Sequence, residues 1–133
     1  MCQIGDIILI QRYKDSGNLL NRHSFVVIDD EPDQINGVSY DMICNVMSSF
    51  KTKTQRERKM SYPGNFPVVF EDRIVENDNE REGYIKADQL YYFQKDSLDY
   101  EVIGRIKPDI FNLLMEFIEE SDFDLIDITD NLE

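Results

Sequence analysis

Four consecutive β-forming residues with no polar face, Phe25-Val26-Val27-Ile28, constrain the fold of this chain more than any other stretch. Successive side chains of a strand point to opposite faces, so a run that is apolar at every position predicts a strand covered on both sides. Arg22 and His23 lie just ahead of it, separated from it only by Ser24, and His23 is the only histidine of the sequence. Polar groups at the mouth of a buried strand are held still by the sheet and still reach solvent, which is where sites tend to be built. Arg22 and His23 therefore read either as caps of a strand end or as members of a site.

The chain on either side supports a β-rich reading. Gly5-Asp6 before Ile7-Ile8-Leu9-Ile10 predicts a turn and a first apolar strand. Residues 11–21 are largely polar and hold the turn cluster Asp15-Ser16-Gly17-Asn18, so strands one and two are expected as a hairpin with a long, mobile loop. Asn36-Gly37 is the strongest short turn signal. A third strand is expected over 40–46, ending at Met47-Ser48-Ser49-Phe50, where two hydroxyls echo the position of Arg22. Residues 51–59 have no apolar periodicity and read as an exposed loop or a short frayed helix. A turn over 61–67, with Tyr62 and Phe66, leads into the expected strand Val68-Val69-Phe70, and 76–82 is acidic and turn-like. Short strands are expected at Tyr84-Ile85 and Leu90-Tyr91-Tyr92-Phe93, and another over 100–106.

One helix is well marked. Pro108 suits the first helical position, Asp109 is favourable at a helix N-terminus, and Ile110, Leu113, Leu114, Phe117 and Ile118 form a helical stripe. This predicts a helix over 108–120. The acidic segment 121–133, with Phe123, Leu125, Ile126 and Ile128 among its carboxylates, reads as an ordered edge segment or a loose tail. Many short strands, frequent turns and one late helix predict a mainly β (α+β) fold, a small, mostly antiparallel barrel with the helix packed on it.

The 133 residues, 41% of them hydrophobic, suffice for one domain with a real core, spanning 1–133. No window approaches a membrane span, and the start lacks a basic region and a small-residue cleavage site, so a cytosolic protein without a membrane partner is expected. Cys2 and Cys44 with one histidine make no zinc pattern, and neither a metal nor another cofactor is expected. Cys44 reads as a small core hydrophobe. Gly-rich phosphate loops, zinc-protease motifs and nucleophile elbows are absent from the sequence.

Charge is unevenly spread. The net charge is −13, yet 51–59 holds five bases (Lys51, Lys53, Arg56, Arg58, Lys59) against Glu57 and so carries +4, leaving −17 elsewhere. An acidic protein repels polyanions on average, so nucleic acid is admitted only locally. A basic stretch followed by Tyr62 offers charge for phosphates and a ring for bases, as single-stranded nucleic acid requires. A solvated loop with Tyr62 and Phe66 packed in the core is the other reading.

The order of short motifs carries a resemblance. Gly5-Asp6-Ile7 opening an apolar strand, Arg22 entering Phe25-Val26-Val27, Asn45-Val46-Met47-Ser48 closing the third strand, Ala87-Asp88-Gln89-Leu90, and Ile103-Gly104-Arg105-Ile106 before a helix together resemble the PemK/MazF-like ribonuclease toxins. The similarity covers most of 5–117, and it is the ordered set that carries it. The resemblance implies a small SH3-like antiparallel β-barrel with a C-terminal helix. It also implies a homodimer, a metal-independent endoribonuclease acting on single-stranded RNA, and a cognate antitoxin partner.

By the same resemblance Arg22 falls on the family's arginine and Ser48 on its strand-end threonine. His23 stands where the family usually has proline. A guanidinium offers forked donors to the oxygens of a pentavalent phosphate and keeps its proton at ordinary pH, so Arg22 suits a clamp better than a base. Ser48 can donate to the same phosphate. Imidazole exchanges protons near neutrality, so His23 is expected either to assist as acid or base or to bond a carbonyl at a strand end. A PemK-like barrel that binds RNA or protein without cleaving is the alternative function. The acidic end reads as a cis-acting shield over the basic surface, or as a solubilising tail or edge strand.

Overall fold

A computed structural model describes residues 2–68 and 83–132, and the backbone of 73–75. Strand β1 (Asp6–Ile10) pairs antiparallel with β4 (His23–Asp29), Ile7 opposite Val26 and Ile10 opposite His23. Phe25 and Val27 enter one core cluster with Ile8, Ile10, Met42, Cys44 and Tyr91. Val26 and Ile28 enter a second with Ile7, Ile43, Ile85 and Leu114. The uninterrupted apolar run is therefore covered on both faces, each such side chain contributing roughly 1.5–3 kcal/mol. Cys44 is fully buried in the first cluster, and burial pushes its thiol pKa up, so it behaves as a core residue.

Between β1 and β4 lies a hairpin of β2 (Tyr13–Asp15) and β3 (Asn18–Leu20). The expected mobile loop is in fact fastened down. Tyr91 Oη donates to Asp15 Oδ2 (2.8 Å) and the Gly17 N–H to Asp130 Oδ2 (2.9 Å). The Lys14 N–H donates to Asn131 Oδ1 (2.7 Å), and Asn131 Nδ2 donates back to the Lys14 carbonyl (3.0 Å). These partners lie over a hundred residues away along the chain for Lys14 and Gly17, beyond any local pattern. A second hairpin, β5 (Asp33–Ile35) and β6 (Val38–Tyr40), turns on Asn36 (φ 52°) and Gly37 (φ 80°). Two consecutive positive φ angles suit a type I′ turn and explain the Asn-Gly choice.

Strand β7 (Met42–Ser49) starts later and runs further than expected, so Ser48 and Ser49 lie within it and Tyr40 belongs to β6. One edge of β7 pairs with β4, from Ser24–Met47 to Asp29–Ile43. Its other edge takes two strands end to end, β10 (Gly83–Lys86) and β11 (Gln89–Phe93). These are halves of one bent strand whose register steps at Ala87-Asp88. The step is held by Ala87 N–H to the Gly64 carbonyl (2.9 Å), and by the buried Asn45 Nδ2 to the Gln89 carbonyl (2.9 Å). Because the two halves diverge, each gains its own outer neighbour. Strand β8 (Asn65–Val68) pairs antiparallel with β10, and β13 (Ile126–Ile128) pairs parallel with β11.

On the far side β1 pairs with β12 (Tyr100–Ile106), and β12 with β9 (Arg73–Val75). The main sheet has nine strands and stays open among the described residues. Val69 and Phe70 of the expected strand, and the expected acidic turn over 76–82, lie outside the described residues. A short helix α1 (Lys53–Met60) follows β7, and α2 (Pro108–Glu119) follows β12. Among the described residues the architecture is mainly β with two α-helices, in agreement with the expected mainly β class. Helix α2 covers the second core with Leu114 fully buried and Ile110, Phe111, Met115, Phe117 and Ile118 packed around it. Leu113, expected in that stripe, is 51% exposed because the buried face is rolled toward Phe111 and Met115. The acidic end is an ordered edge segment through β13. Among the described residues no helix is long and apolar enough to cross a membrane.

Candidate functional site

Register and alternation assemble one polar face at the ends of three strands. Ser24 stands opposite Met47, so one step further along the same ladder sets His23 opposite Ser48. On the next strand Tyr84 stands opposite Ser48. Phe25 and Val46, two residues in from His23 and Ser48, share a core cluster, and Ile85, next to Tyr84, faces the other. His23, Ser48 and Tyr84 therefore form a row on one face, about 10 Å from end to end at the ordinary strand spacing. His23 is exposed and meets Tyr13 edge-on, ring centroids 5.8 Å apart. Ser48 is half-buried.

Arg22 is exposed in the irregular segment just before β4, at the same end of the sheet, where continuing the register would set it opposite Ser49. Alternation puts His23, and not Arg22, on the face of Ser48. Outside the strand that alternation no longer fixes the direction of the Arg22 side chain. Among the described residues, no hydrogen bond or ion pair engages the side chains of Arg22, His23 or Ser48.

The basic residues expected to meet RNA sit beside this row; Lys53, Arg56, Arg58 and Lys59 lie on α1, the short helix that was one of the two expected forms, and Lys51 just ahead of its cap. Thr52 caps α1 by accepting from the Gln55 N–H (3.0 Å), and Gln55 Oε1 accepts from the Lys51 N–H (2.6 Å). The Thr52-x-x-Gln55 spacing is a helix-start signal independent of apolar periodicity. Periodicity fails here because α1 buries no residue. Lys51, Lys53, Arg56 and Arg58 are exposed and Lys59 is half-buried. The Arg56 guanidinium lies 5.8 Å above the Phe50 ring, and Phe50 stacks on Tyr84 at 5.0 Å and 30°. Lys59 Nζ lies 5.9 Å from the ring centre of Tyr62, which is 53% exposed and not a core residue. Phe66 does pack against the core and meets Phe117 at 5.3 Å, so the two aromatics of that turn divide between the two readings.

Neither Tyr84 nor Lys86 stands out in the sequence; alternation puts both on the face away from Ile85, and Tyr84 is buried there, 4% exposed and stacked on Phe50. Together with Lys59 and Tyr62 they line a cleft of about 300 Å³, closed on other sides by Asp88 and Phe123. The acidic end thus reaches the basic surface through Phe123, which also meets Phe117 at 5.5 Å. Its other polar contacts are structural. Tyr92 Oη donates to Asp127 Oδ1 (2.8 Å), and Asp130 and Asn131 hold the β2–β3 hairpin.

Deeper down, Asn45 is fully buried and its Oδ1 accepts no hydrogen bond among the described residues. Its Nδ2 donates to the carbonyl of Gln89, a residue that lines the cleft at the step between β10 and β11. No group of three or more His, Cys, Asp and Glu side chains able to hold a metal ion occurs among the described residues. No protein-family model matches the chain, and no curated protein shows significant similarity to it.

Proposed function

We propose that the protein is a toxin-type endoribonuclease of the PemK/MazF-like class that cuts single-stranded RNA without a metal, on a sheet that completes an SH3-like barrel. The observation that carries this reading is the row His23–Ser48–Tyr84 on one face, flanked by Arg22 and by the cations of α1. RNA brings its own nucleophile. The 2′-hydroxyl attacks the adjacent phosphorus, the 5′-oxygen leaves, and a 2′,3′-cyclic phosphate and a 5′-hydroxyl result. The chain must stabilise charge on the phosphoryl oxygens and move one proton off the 2′-oxygen and one onto the 5′-oxygen. Arg22 and Ser48 donate to the phosphate, and His23 exchanges a proton with one of the two oxygens. Helix α1 and Tyr62 hold the flanking strand. A homodimer and an antitoxin that occupies this face follow from the same reading.

The test is cleavage of an unstructured RNA by the purified protein in EDTA. Cutting that persists, with cyclic phosphate ends, is the expected result. A strict need for a divalent ion sinks the mechanism. A second reading, RNA binding without cutting, is favoured by one feature. Arg22 precedes β4, so strand pairing does not hold it on the face of Ser48, and a clamp not held on that face would bind phosphate without compressing it.

A further inference from the structure

We infer that the cleft between α1 and the β10–β11 step is a subsite for one guanine nucleotide. The inference rests on the RNA reading for the source of that nucleotide, and on the cleft alone for its chemistry.

Three features select the ligand. The first is size. About 300 Å³ is at the small end of ligand pockets and suits a single base with its sugar better than a larger cofactor. The second is the lining. Tyr62 and Phe123 offer rings on which a base stacks, Tyr84 is buried with Phe50 stacked on it, and Lys59 and Lys86 line the same cleft with two cationic side chains for its phosphate.

The third feature is Asp88. Its side chain lies directly against Gly64. A Cβ added at Gly64 would stand 2.7 Å from Asp88 Oδ2 and 2.8 Å from Asp88 Cβ, so only glycine leaves the carboxylate where it is. The Asp88 carbonyl is committed to the Ile126 N–H (2.7 Å), which pins the residue while leaving its carboxylate unused. Among the described residues no donor and no cation engages that carboxylate, although Lys86 is only two residues away. An ionised carboxylate accepts and never donates, and it accepts best from two parallel N–H groups. Guanine is the one common base whose Watson–Crick edge presents two adjacent donors, N1–H and N2–H. Adenine and cytosine present a single amino group beside a bare ring nitrogen, and uracil flanks its one N–H with carbonyls that a carboxylate repels.

The subsite also fits the row it adjoins. Tyr84 lies in both, opposite Ser48. A guanine held in the cleft thus places a neighbouring phosphodiester of the same strand toward Ser48 and His23.

The experiment titrates the full chain with GMP, AMP, CMP and UMP by ligand-observed NMR, in wild type, Asp88→Asn and Lys86→Ala. GMP is expected to bind best, by roughly 5–150-fold, the range of a bidentate contact to a base edge. Asp88→Asn should remove that preference, and Lys86→Ala should weaken all four while keeping it. Equal binding of the four, binding of none at millimolar concentration, or an intact preference in folded Asp88→Asn overturns the subsite. A parallel arm offers two unstructured RNAs of equal length, one with a single guanine and one with none. Preferential cutting of the first assigns the nucleotide to RNA. Equal cutting of both overturns the subsite and leaves the ribonuclease reading standing. Selective GMP binding without cutting of either RNA leaves the subsite standing for a free nucleotide and removes the ribonuclease reading.

Discussion

Two polar regions of this protein use their side chains in opposite ways. Where the chain end meets β11 and the β2–β3 hairpin, the polar groups are spent. Asp15, Asp127, Asp130 and Asn131 each accept a hydrogen bond of 2.7–2.9 Å, and Tyr91 and Tyr92 donate two of them. At the strand ends, Arg22, His23, Ser48, Lys86 and Asp88 engage no such partner among the described residues. A carboxylate that accepts from a buried hydroxyl fastens the fold, whereas one held in place and left unused is available to a ligand. Acidic residues dominate this sequence, and their number alone separates neither role from the other. Their hydrogen bonds do.

The sharpest way to break that contrast is to remove a group from the unspent side. Arg22→Ala should lower the cleavage rate by about 10²–10³-fold, the cost of one transition-state donor. Its melting temperature should stay at the wild-type value, because the side chain is exposed and holds nothing among the described residues. Ser48→Ala should cost less activity. A variant that loses stability and activity together would move Arg22 to the structural side. Next in size is the effect of α1. Neutralising its cations should flatten the dependence of log affinity on log salt by roughly 0.7 for each phosphate contact removed. An unchanged slope would put the RNA backbone elsewhere.

The spent side should respond in the reverse manner. Asn131→Ala removes two exposed hydrogen bonds to Lys14 and should cost about 0.5–1.5 kcal/mol in denaturant unfolding while leaving cleavage per folded molecule unchanged. Burial, reinforced by the bond to Asp15, pushes the Tyr91 hydroxyl pKa far up, and burial with the bond to Asp127 does the same for Tyr92. Both hydroxyls are protonated in folded and unfolded chains below the ordinary tyrosine value, so their contribution is fully present through neutral pH. Above pH about 10 the unfolded chain loses protons that the folded one keeps, and stability should fall by up to about 1.4 kcal/mol per pH unit for each tyrosine. Urea titrations between pH 8 and 11, with Tyr91→Phe as the comparison, measure it. A Tyr91→Phe slope equal to that of wild type would remove Tyr91 from the clamp.

What was legible in the sequence follows the range of the interactions. The two-sided burial of Phe25-Val26-Val27-Ile28, the Asn36-Gly37 turn and α2 depend on neighbours within a few positions, and each lies where its pattern puts it. The clamp on β2–β3 was illegible because Asp130 and Asn131 act on residues at the other end of the chain. Helix α1 was legible only through Thr52 and Gln55, since an element that buries nothing leaves no hydrophobic pattern. At the site, Arg22, His23 and Ser48 share one end of the sheet, as their positions at strand ends suggested. Their neighbours Tyr84, Lys86 and Asp88 depend on the register step at Ala87-Asp88, which no local motif announces.

The central claim is that the face carrying His23 and Ser48 is where RNA lies. His23 is the only histidine, so its imidazole signals are assigned without further labelling or mutation. An oligonucleotide with 2′-deoxyribose throughout keeps the phosphates and bases and lacks the nucleophile, so it binds without being cut. Titrating it into the protein should shift the His23 ring resonances in step with the resonances of α1, and saturate with them. Binding that moves α1 and leaves the His23 ring where it was would contradict the account.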